Sequence, residues 1–459
     1  MVKSNNLEKF LTFRKEFPVF IYKGFDFQYS DKGLRAQFHF NLADKYSFHP
    51  VMVIPLREFF IKENIRKEIL ENMIFHIGMI ELISYWKAAC PPLIRIECGS
   101  LDEEQVKWWK KLYYHGLGEF FYLNSINTGM ENFVTIDSHA GLSYPPFSIP
   151  VREQAIIPIG GGKDSIVTFE LLGQNMGNIP MVINPRPASS GILMKRGIYY
   201  DSVIEISRTI DPVLLKLNEK GFLNGHTPFS ALLAFVSVLA ASMSGRKYIA
   251  LSNESSANES TIPGSDINHQ YSKSTAFEGD FRWYVNKYIS PDIDYFSFLR
   301  PLNELQIARI FSGLGDYHSV FKSCNAGSKT NTWCGKCPKC LFTYLILSPF
   351  MKEEKLESVF GKNLLNDPEL IPLMNELAGI SQSKPFDCIG TIDEVNTVLV
   401  HLVREIPEDK LPVILRQYRS SGMYERYQHS EIKTLLDHFN TDHFLPKDYE
   451  SLLRSHLDV

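Results

Sequence analysis

Two short segments of this 459-residue chain carry residue types whose spacing implies chemistry. In the first, Pro158-Ile159-Gly160-Gly161-Gly162-Lys163-Asp164-Ser165 separates the apolar run AIIPI from a helical pattern expected to start near Ile166. Three glycines leave several backbone N–H groups unobstructed, so that they can converge on phosphate oxygens at the positive end of a helix. Lys163 would add charge to a phosphate contact, Asp164 would hold Mg²⁺ or orient the loop, and Ser165 would cap the helix or bond a phosphate. The spacing is neither Gly-x-x-x-x-Gly-Lys-Ser/Thr nor Gly-x-Gly-x-x-Gly, which sets aside the two best-known phosphate loops. In the second segment, Cys324, Cys334, Cys337 and Cys340 read C-x9-C-x2-C-x2-C. Four thiolates close a tetrahedron with no open position, so a structural Zn²⁺ is expected. The rival is an iron–sulfur cluster, but the ferredoxin run expects a further cysteine followed by proline, and Cys340 is followed by Leu-Phe-Thr.

Three further segments are more polar than their settings require. LNGHTPFSALLAF places Asn224 and His226 before a buried helix, with Thr227 expected as its cap and Pro228 at its first position. LSNESSANES follows the strand KYIAL and puts Asn253, Glu254, Ser255 and Asn258 at the carboxyl end of a sheet strand, where open α/β sheets bind ligands. INHQYSKS gathers Asn268, His269, Gln270, Tyr271, Ser272 and Lys273. Each alone reads as a solvated loop; together, after a phosphate loop, they point to one shared site. Arg300, in FLRPLNELQIARI, would meet a carboxylate or phosphate, or open a helix as half of an ion pair.

The elements that must hold these groups alternate. AIIPI, MVINP, SVIEIS and KYIALSN read as buried strands, separated by helical patterns such as FSALLAFVSVLAASM, which implies an α/β unit with a parallel sheet covered on both faces. Ahead of them, FQYSDKGLRAQFHFNL alternates as a hairpin would, while ELISYWKAA and EEQVKWWKKLYYHGLGEFFYL read as helices. The prolines of SYPPFSIP mark a boundary, giving an α+β unit over 1–150, a core over 151–350 and a polar, helical region over 351–459. The composition, 44% hydrophobic and 22% charged, excludes disordered and fibrous classes. A net charge of -4 gives no global basic surface, so neither nucleic acid nor an anionic membrane is expected as a partner. Charges interrupt the apolar runs of the first 17 residues, and the longest apolar stretch, near 231–243, is too short to span a bilayer. With 7 cysteines, four of them clustered, a reducing compartment and cytoplasmic localisation are expected.

The strand, Gly-Gly-Gly-Lys-Asp-Ser and helix together resemble the pyrophosphate loop of the N-type ATP pyrophosphatases (adenine nucleotide alpha hydrolase-like), with Gly160 in place of the usual first serine. Taken with LNGHTPFS, LSNESSAN, INHQYSKS, FLRPLNELQIAR, FKSCN and WCGKCPKCLF, the chain resembles the ATP-dependent UDP-N-acetylmuramoyl-L-alanyl-L-glutamate epimerases of peptidoglycan biosynthesis. The likeness is specific over about 155–350; ISYWKAACPPLIRIE, LYYHGLGEFFY and KPFDCIG extend it more loosely. It implies conversion of the terminal L-Glu of a UDP-linked muramoyl dipeptide to D-Glu with ATP and Mg²⁺, through an acyl-adenylate that acidifies the α-proton, releasing AMP and pyrophosphate. His269 and Lys273 are then expected among the proton-transfer groups, with Glu254 beside them and Cys388 as a competing acid–base candidate. Binding of the loop residues 160–165 to ATP, and of His226, Asn253, Ser255, Asn258, Asn268, Gln270 and Arg300 to substrate, belongs to the same expectation. The first 150 residues would help enclose the large UDP-sugar peptide. A tRNA-modifying or deazaguanine-type ATP pyrophosphatase is the alternative, since such enzymes join a similar loop to a similar cysteine cluster; the acidic balance weighs against it. A non-catalytic nucleotide sensor is a third reading, which the presence of Lys163, Asp164 and Ser165 disfavours.

Overall fold

The computed structural model describes residues 3–138, 141–173, 177–328 and 330–457. Its spine is a mixed, mostly parallel sheet of β1 (Val19–Ser30), β2 (Gly33–Leu42), β3 (Tyr46–Phe48), β4 (Val51–Pro55), β5 (Leu93–Ile96), β6 (Thr135–Asp137), β7 (Arg152–Pro158), β8 (Ile179–Ile183), β9 (Ile204–Arg208), β10 (Arg246–Leu251) and β11 (Asp294–Ser297). The spatial order is β11-β10-β7-β8-β9-β4-β2-β1-β5-β6, with β3 beside β2. The expected hairpin is β1–β2, closed between Ser30 and Gly33. Gly33 has φ +107°, and a side chain there would meet the Ile54 carbonyl oxygen at 2.1 Å.

The apolar runs expected as parallel strands are β7 to β10. Their order places β8 and β9 on one side of β7, and β10 and β11 on the other, all parallel. Connections therefore change direction between β7 and β10, the point at which open α/β sheets leave a crevice beyond their strand ends. The glycine loop leaves β7 there and Ser252-Asn253-Glu254 leaves β10, so two of the polar segments share one rim.

The sheet does not end at residue 150. β4 pairs antiparallel with β9 through Met52↔Arg208 and Val53↔Ser207. Arg208 forks onto Glu81 at 2.7 and 2.8 Å, fastening the helix Lys67–Trp86 to the same β4–β9 junction. That helix is apolar almost all round and packs against Phe229–Ser244, so both are interior helices rather than amphipathic surface ones. The segment expected as one helix from Glu103 breaks at Leu117, whose backbone is not helical. A capping box of Asp102 and Gln105 opens the helix Glu103–Gly116, and Gly118–Leu123 follows as a separate short helix. Beyond 350 the described residues form helices only, among them Ile392–Glu405, opened by a capping box of Thr391 and Glu394. No helix among the described residues is long and apolar enough to cross a membrane.

Candidate active site

A cleft of about 430 Å³ opens at the switch point, lined by the glycine loop, the end of β10, Lys273, Glu304, Lys322 with Ser323, Lys339 and Cys388. The helix begins at Lys163 rather than near Ile166, with Gly162 in extended backbone as its N-cap. Ser165 is therefore three residues inside it and does not cap: its hydroxyl donates to the Gly162 carbonyl at 2.9 Å and accepts from the Gly161 N–H at 3.3 Å. Gly161 makes the turn at φ +103°, with its carbonyl accepting from the Lys322 N–H at 2.9 Å. Gly160 and Gly162 line the cleft, and Gly161 shapes it from behind.

Lys163 is buried, and its ammonium bonds the carboxylates of Asp164 and Glu304 instead of standing free for a phosphate. Burial pulls its pKa down, but Asp164 and Glu304 more than offset this and hold the ammonium charged. Carboxylate oxygens of Asp164, Glu254 and Glu304 lie within 4.8 Å of one another. Burial raises the pKa of both Glu254 and Glu304, with Lys273 opposing this at Glu254 and Lys163 at Glu304. Three convergent carboxylates facing lysines form a donor set suited to a hard divalent cation.

Across the cleft, Cys388 faces Lys273 and Lys339. Burial alone would raise its pKa; Lys273, Lys339 and the His269 imidazole take it well below the ordinary thiol value. His269 does not line the cleft but stands behind Cys388, bonded on its Nδ1 side to Glu119. Burial disfavours its charge, whereas the neighbouring Cys388 and the bonded Glu119 carboxylate raise its pKa to about 9. His226 packs against His269 at a tilt of 46°, with ring centroids 4.4 Å apart, and its Nδ1 lies 3.7 Å from Glu119. Burial, then His269 and the neighbouring lysines, lower its pKa to about 3, so it is neutral. Lys273 loses by burial and gains more from Cys388 and Glu254, which keeps it cationic.

Several residues expected to reach substrate are spent on scaffolding. Arg300 is fully buried: it pairs with Glu278 at 3.0 Å and donates to the carbonyls of Glu254 and Lys273, tying both polar loops from beneath. Ser255 donates to the Leu302 carbonyl, Asn258 is held by Thr275, and Asn268 donates to Ala257. Gln270 donates to the Ile389 carbonyl at 3.2 Å, beside Cys388. These bonds tie the irregular loops to their surroundings, and none of these side chains lines the cleft. Asn253 does line it, donating to Ser297 at 3.0 Å. Thr227 does not cap the helix Phe229–Ser244: Pro228 is the N-cap, and Phe229 presents a half-exposed ring to the cleft.

Glu119, Glu304, Lys322 and Lys339 were not singled out from the sequence. Glu304 and Lys339 lie within FLRPLNELQIAR and WCGKCPKCLF, where Arg300 and the cysteines drew the reading; Glu119 is a lone carboxylate in an aromatic helix, and only its burial marks it. The segment bearing Cys388 is fixed by Lys384 on Glu259 and Gly390, and by Asn325 on Asp387 at 2.7 Å. The four clustered cysteines converge: Cys324–Cys337 and Cys334–Cys340 are 3.7 Å apart and Cys337–Cys340 3.5 Å. A tetrahedron of ~2.3 Å Zn–S bonds has S···S edges of about 3.8 Å, so the donor set fits. Backbone N–H groups of Gly327 and Lys336 point at two of the sulfurs, as thiolates require.

Fold and site together define a mixed α/β protein whose glycine-loop cleft adjoins a buried grouping of Cys388, His269 and Glu119. Family comparison is more specific. The MurL N-terminal domain matches residues 12–298 and the MurL C-terminal domain residues 320–431, so the chain belongs to the MurL family. A protein of Xanthomonas oryzae named UDP-N-acetyl-alpha-D-muramoyl-L-alanyl-L-glutamate epimerase is 37% identical over 335 residues, 71% of this chain and 73% of that one. Proteins of the same name from Salinispora tropica and a Micromonospora species are 35% and 34% identical, over 69% and 72% of this chain and 70% and 75% of theirs. No solved structure matches the chain.

Proposed function

We propose that this protein inverts the terminal L-glutamate of UDP-N-acetylmuramoyl-L-alanyl-L-glutamate to D-glutamate, with ATP and Mg²⁺ as co-substrate and metal, on an N-type ATP pyrophosphatase core. The observation that carries this is the placing of Cys388 and Lys273 in the same cleft as the glycine loop. An activated carboxyl and its α-carbon are one bond apart, so a site that must activate one and deprotonate the other needs both sets of groups within a few ångströms. The names of the relatives supply the substrate.

An ionised carboxylate opposes loss of the neighbouring α-proton, because charge would accumulate on charge. ATP would supply an AMP group that neutralises that carboxylate and lets the carbonyl delocalise the electrons. The chain's own part is to hold and to shield. Asp164, Glu254 and Glu304 would hold the Mg²⁺, while Lys322, Lys339 and the loop amides would receive phosphate oxygens. Lys273 lies within direct reach of substrate for proton transfer; His269 acts through Cys388, the remaining reactive side chain facing the same space. Cys324, Cys334, Cys337 and Cys340 would hold a structural Zn²⁺ that fixes the loop after Lys322 against the helix Pro338–Leu347, which carries Lys339.

The test incubates the protein with UDP-N-acetylmuramoyl-L-Ala-L-Glu, ATP and Mg²⁺ in D₂O, then reads glutamate chirality and α-deuterium after hydrolysis. D-Glu carrying deuterium, with stoichiometric AMP, is expected. AMP without inversion would refute the epimerase and favour a different ATP pyrophosphatase; absence of both would refute the nucleotide site.

A further inference from the structure

The thiol at the cleft surface is not isolated. Cys388 faces the cavity, the His269 imidazole is its neighbour from behind, and the Glu119 carboxylate bonds the Nδ1 of that imidazole. Glu119 is 4% exposed and comes from a helix 150 residues before His269, so the fold delivers it to this imidazole, with His226 its more distant neighbour at 3.7 Å. Nucleophile, hydrogen-bonded imidazole and orienting carboxylate in line are the arrangement by which enzymes activate a thiol toward an acyl carbon.

The surroundings also separate a nucleophilic role from a basic one. Lys273, Lys339 and the His269 imidazole all face the sulfur. Cationic neighbours lower a thiolate's affinity for a proton, while its nucleophilicity falls by less than half as much on the logarithmic scale. A sulfur so surrounded is a poor base for a carbon acid and still a competent nucleophile.

We propose that Cys388 takes the activated glutamyl group as a thioester, with His269 and Glu119 as its positioning residues, so that inversion occurs on an acyl chain bound to the enzyme. The proposal rests on the reading of the site as an ATP-dependent epimerase. The sulfur lone pair forms the C–S bond as the C–O bond to AMP breaks, and AMP leaves with that electron pair. A thioester carbonyl carries no charge and acidifies the α-proton; acylation also removes the thiolate charge that helped hold Lys273 cationic, so Lys273 gives its proton to solvent and, as the free amine, takes the α-proton, and a solvent proton added to the opposite face completes the inversion. Water then adds to the carbonyl; the C–S bond breaks, the thiolate leaves with its electron pair, and both protons of that water pass to solvent as the carboxylate forms. No oxidant or further reactant is needed.

The experiment compares full-length wild type with Cys388→Ala in three readouts: ATP–pyrophosphate exchange dependent on the muramoyl dipeptide, AMP release and α-proton exchange. The variant is expected to keep pyrophosphate exchange while AMP release and α-proton exchange both fall by about 10³-fold or more. AMP release at the wild-type rate without α-proton exchange would overturn the proposal in favour of an acid–base thiol. Retention of all three activities would overturn it as well, as would loss of pyrophosphate exchange in a variant that melts like wild type. If Cys388→Ala does not fold, acid-quenched wild type decides: the acyl adduct on the peptide containing Cys388, released by hydroxylamine, is expected, and its absence during turnover refutes the thioester. Wild type lacking pyrophosphate exchange would instead sink the epimerase reading itself.

Discussion

Replacing Glu119 by Gln tests the electrostatics of the site with little change in shape. His269 rises from 6.5 to about 9 against the cost of burial, which corresponds to about 3 kcal/mol in favour of the imidazolium. The side chain is 12% exposed, so solvent screening removes little of this. Two partners supply the gain, Cys388 first and Glu119 second, while His226 is neutral and Asp387, on the Cys388 segment, adds a weaker pull. Taking Glu119 as about half leaves about 1.5 kcal/mol, or roughly a tenfold lower protonation constant. Glu119→Gln should therefore move the alkaline limb of the pH–activity profile from near 9 toward neutrality by about one pH unit. Iodoacetamide alkylation of Cys388 should shift in parallel. Stability follows the same sign: because the folded pKa lies above the unfolded one, His269 stabilises the fold fully below pH 6.5 and loses this as the pH rises through about 9. The gap between wild type and variant in denaturant midpoints should then be widest near pH 6.5 and close by about pH 10. An alkaline limb unmoved by Glu119→Gln, in a variant of unchanged melting temperature above pH 10, would refute the assignment of His269 as an imidazolium held by Glu119.

Arg300→Met leaves Glu278 charged in the interior without its counter-ion, with only the Ser297 N–H still bonding it, at a cost of about 3–5 kcal/mol; thermal melting should show a large drop that Arg300→Met with Glu278→Gln partly restores, and an unchanged melt would refute the buried pairing. Elemental analysis should find about one Zn²⁺ per chain, lost in Cys334→Ser together with thermal stability; iron with visible absorbance would replace the zinc assignment. Phe229→Ala should raise KM for ATP or for the UDP-linked substrate about 5-fold with kcat unchanged, since the exposed ring offers a stacking face worth about 1 kcal/mol; equal KM values for both would refute a base-stacking role.

The alternation of β7 to β10 with their helices was legible because buried parallel strands are continuous apolar runs, and the Cys-x2-Cys spacing was legible because metal ligation is local. What sequence order does not display is which polar side chains turn inward. Asn268, Gln270 and Arg300 read as ligand-facing from their polarity, yet an irregular loop leaves carbonyls and N–H groups that something must satisfy, and these residues do so. Polarity at a strand end therefore marks the site's neighbourhood and not its contacts. Glu119 illustrates the converse: one carboxylate among aromatic residues carries no local signal, and its meaning comes only from His269, 150 positions away.

That separation bears on the first 150 residues, expected from sequence as an enclosure for the substrate. Their β4 strand continues the sheet through β9, their helix Lys67–Trp86 is buried against Phe229–Ser244, and Glu119 reaches His269. A chain cut before Pro150 would expose the β9 edge and the faces those helices cover, with Glu119 gone, so loss of affinity in such a fragment would report unfolding as much as a lost enclosure. Single substitutions separate the two. If the N-terminal residues act through Glu119, Glu119→Gln lowers kcat at alkaline pH and leaves KM for the dipeptide unchanged. If enclosure dominates, KM rises at every pH while the alkaline limb stays in place. Steady-state kinetics at pH 7 and pH 9 distinguish these outcomes in an intact, folded chain.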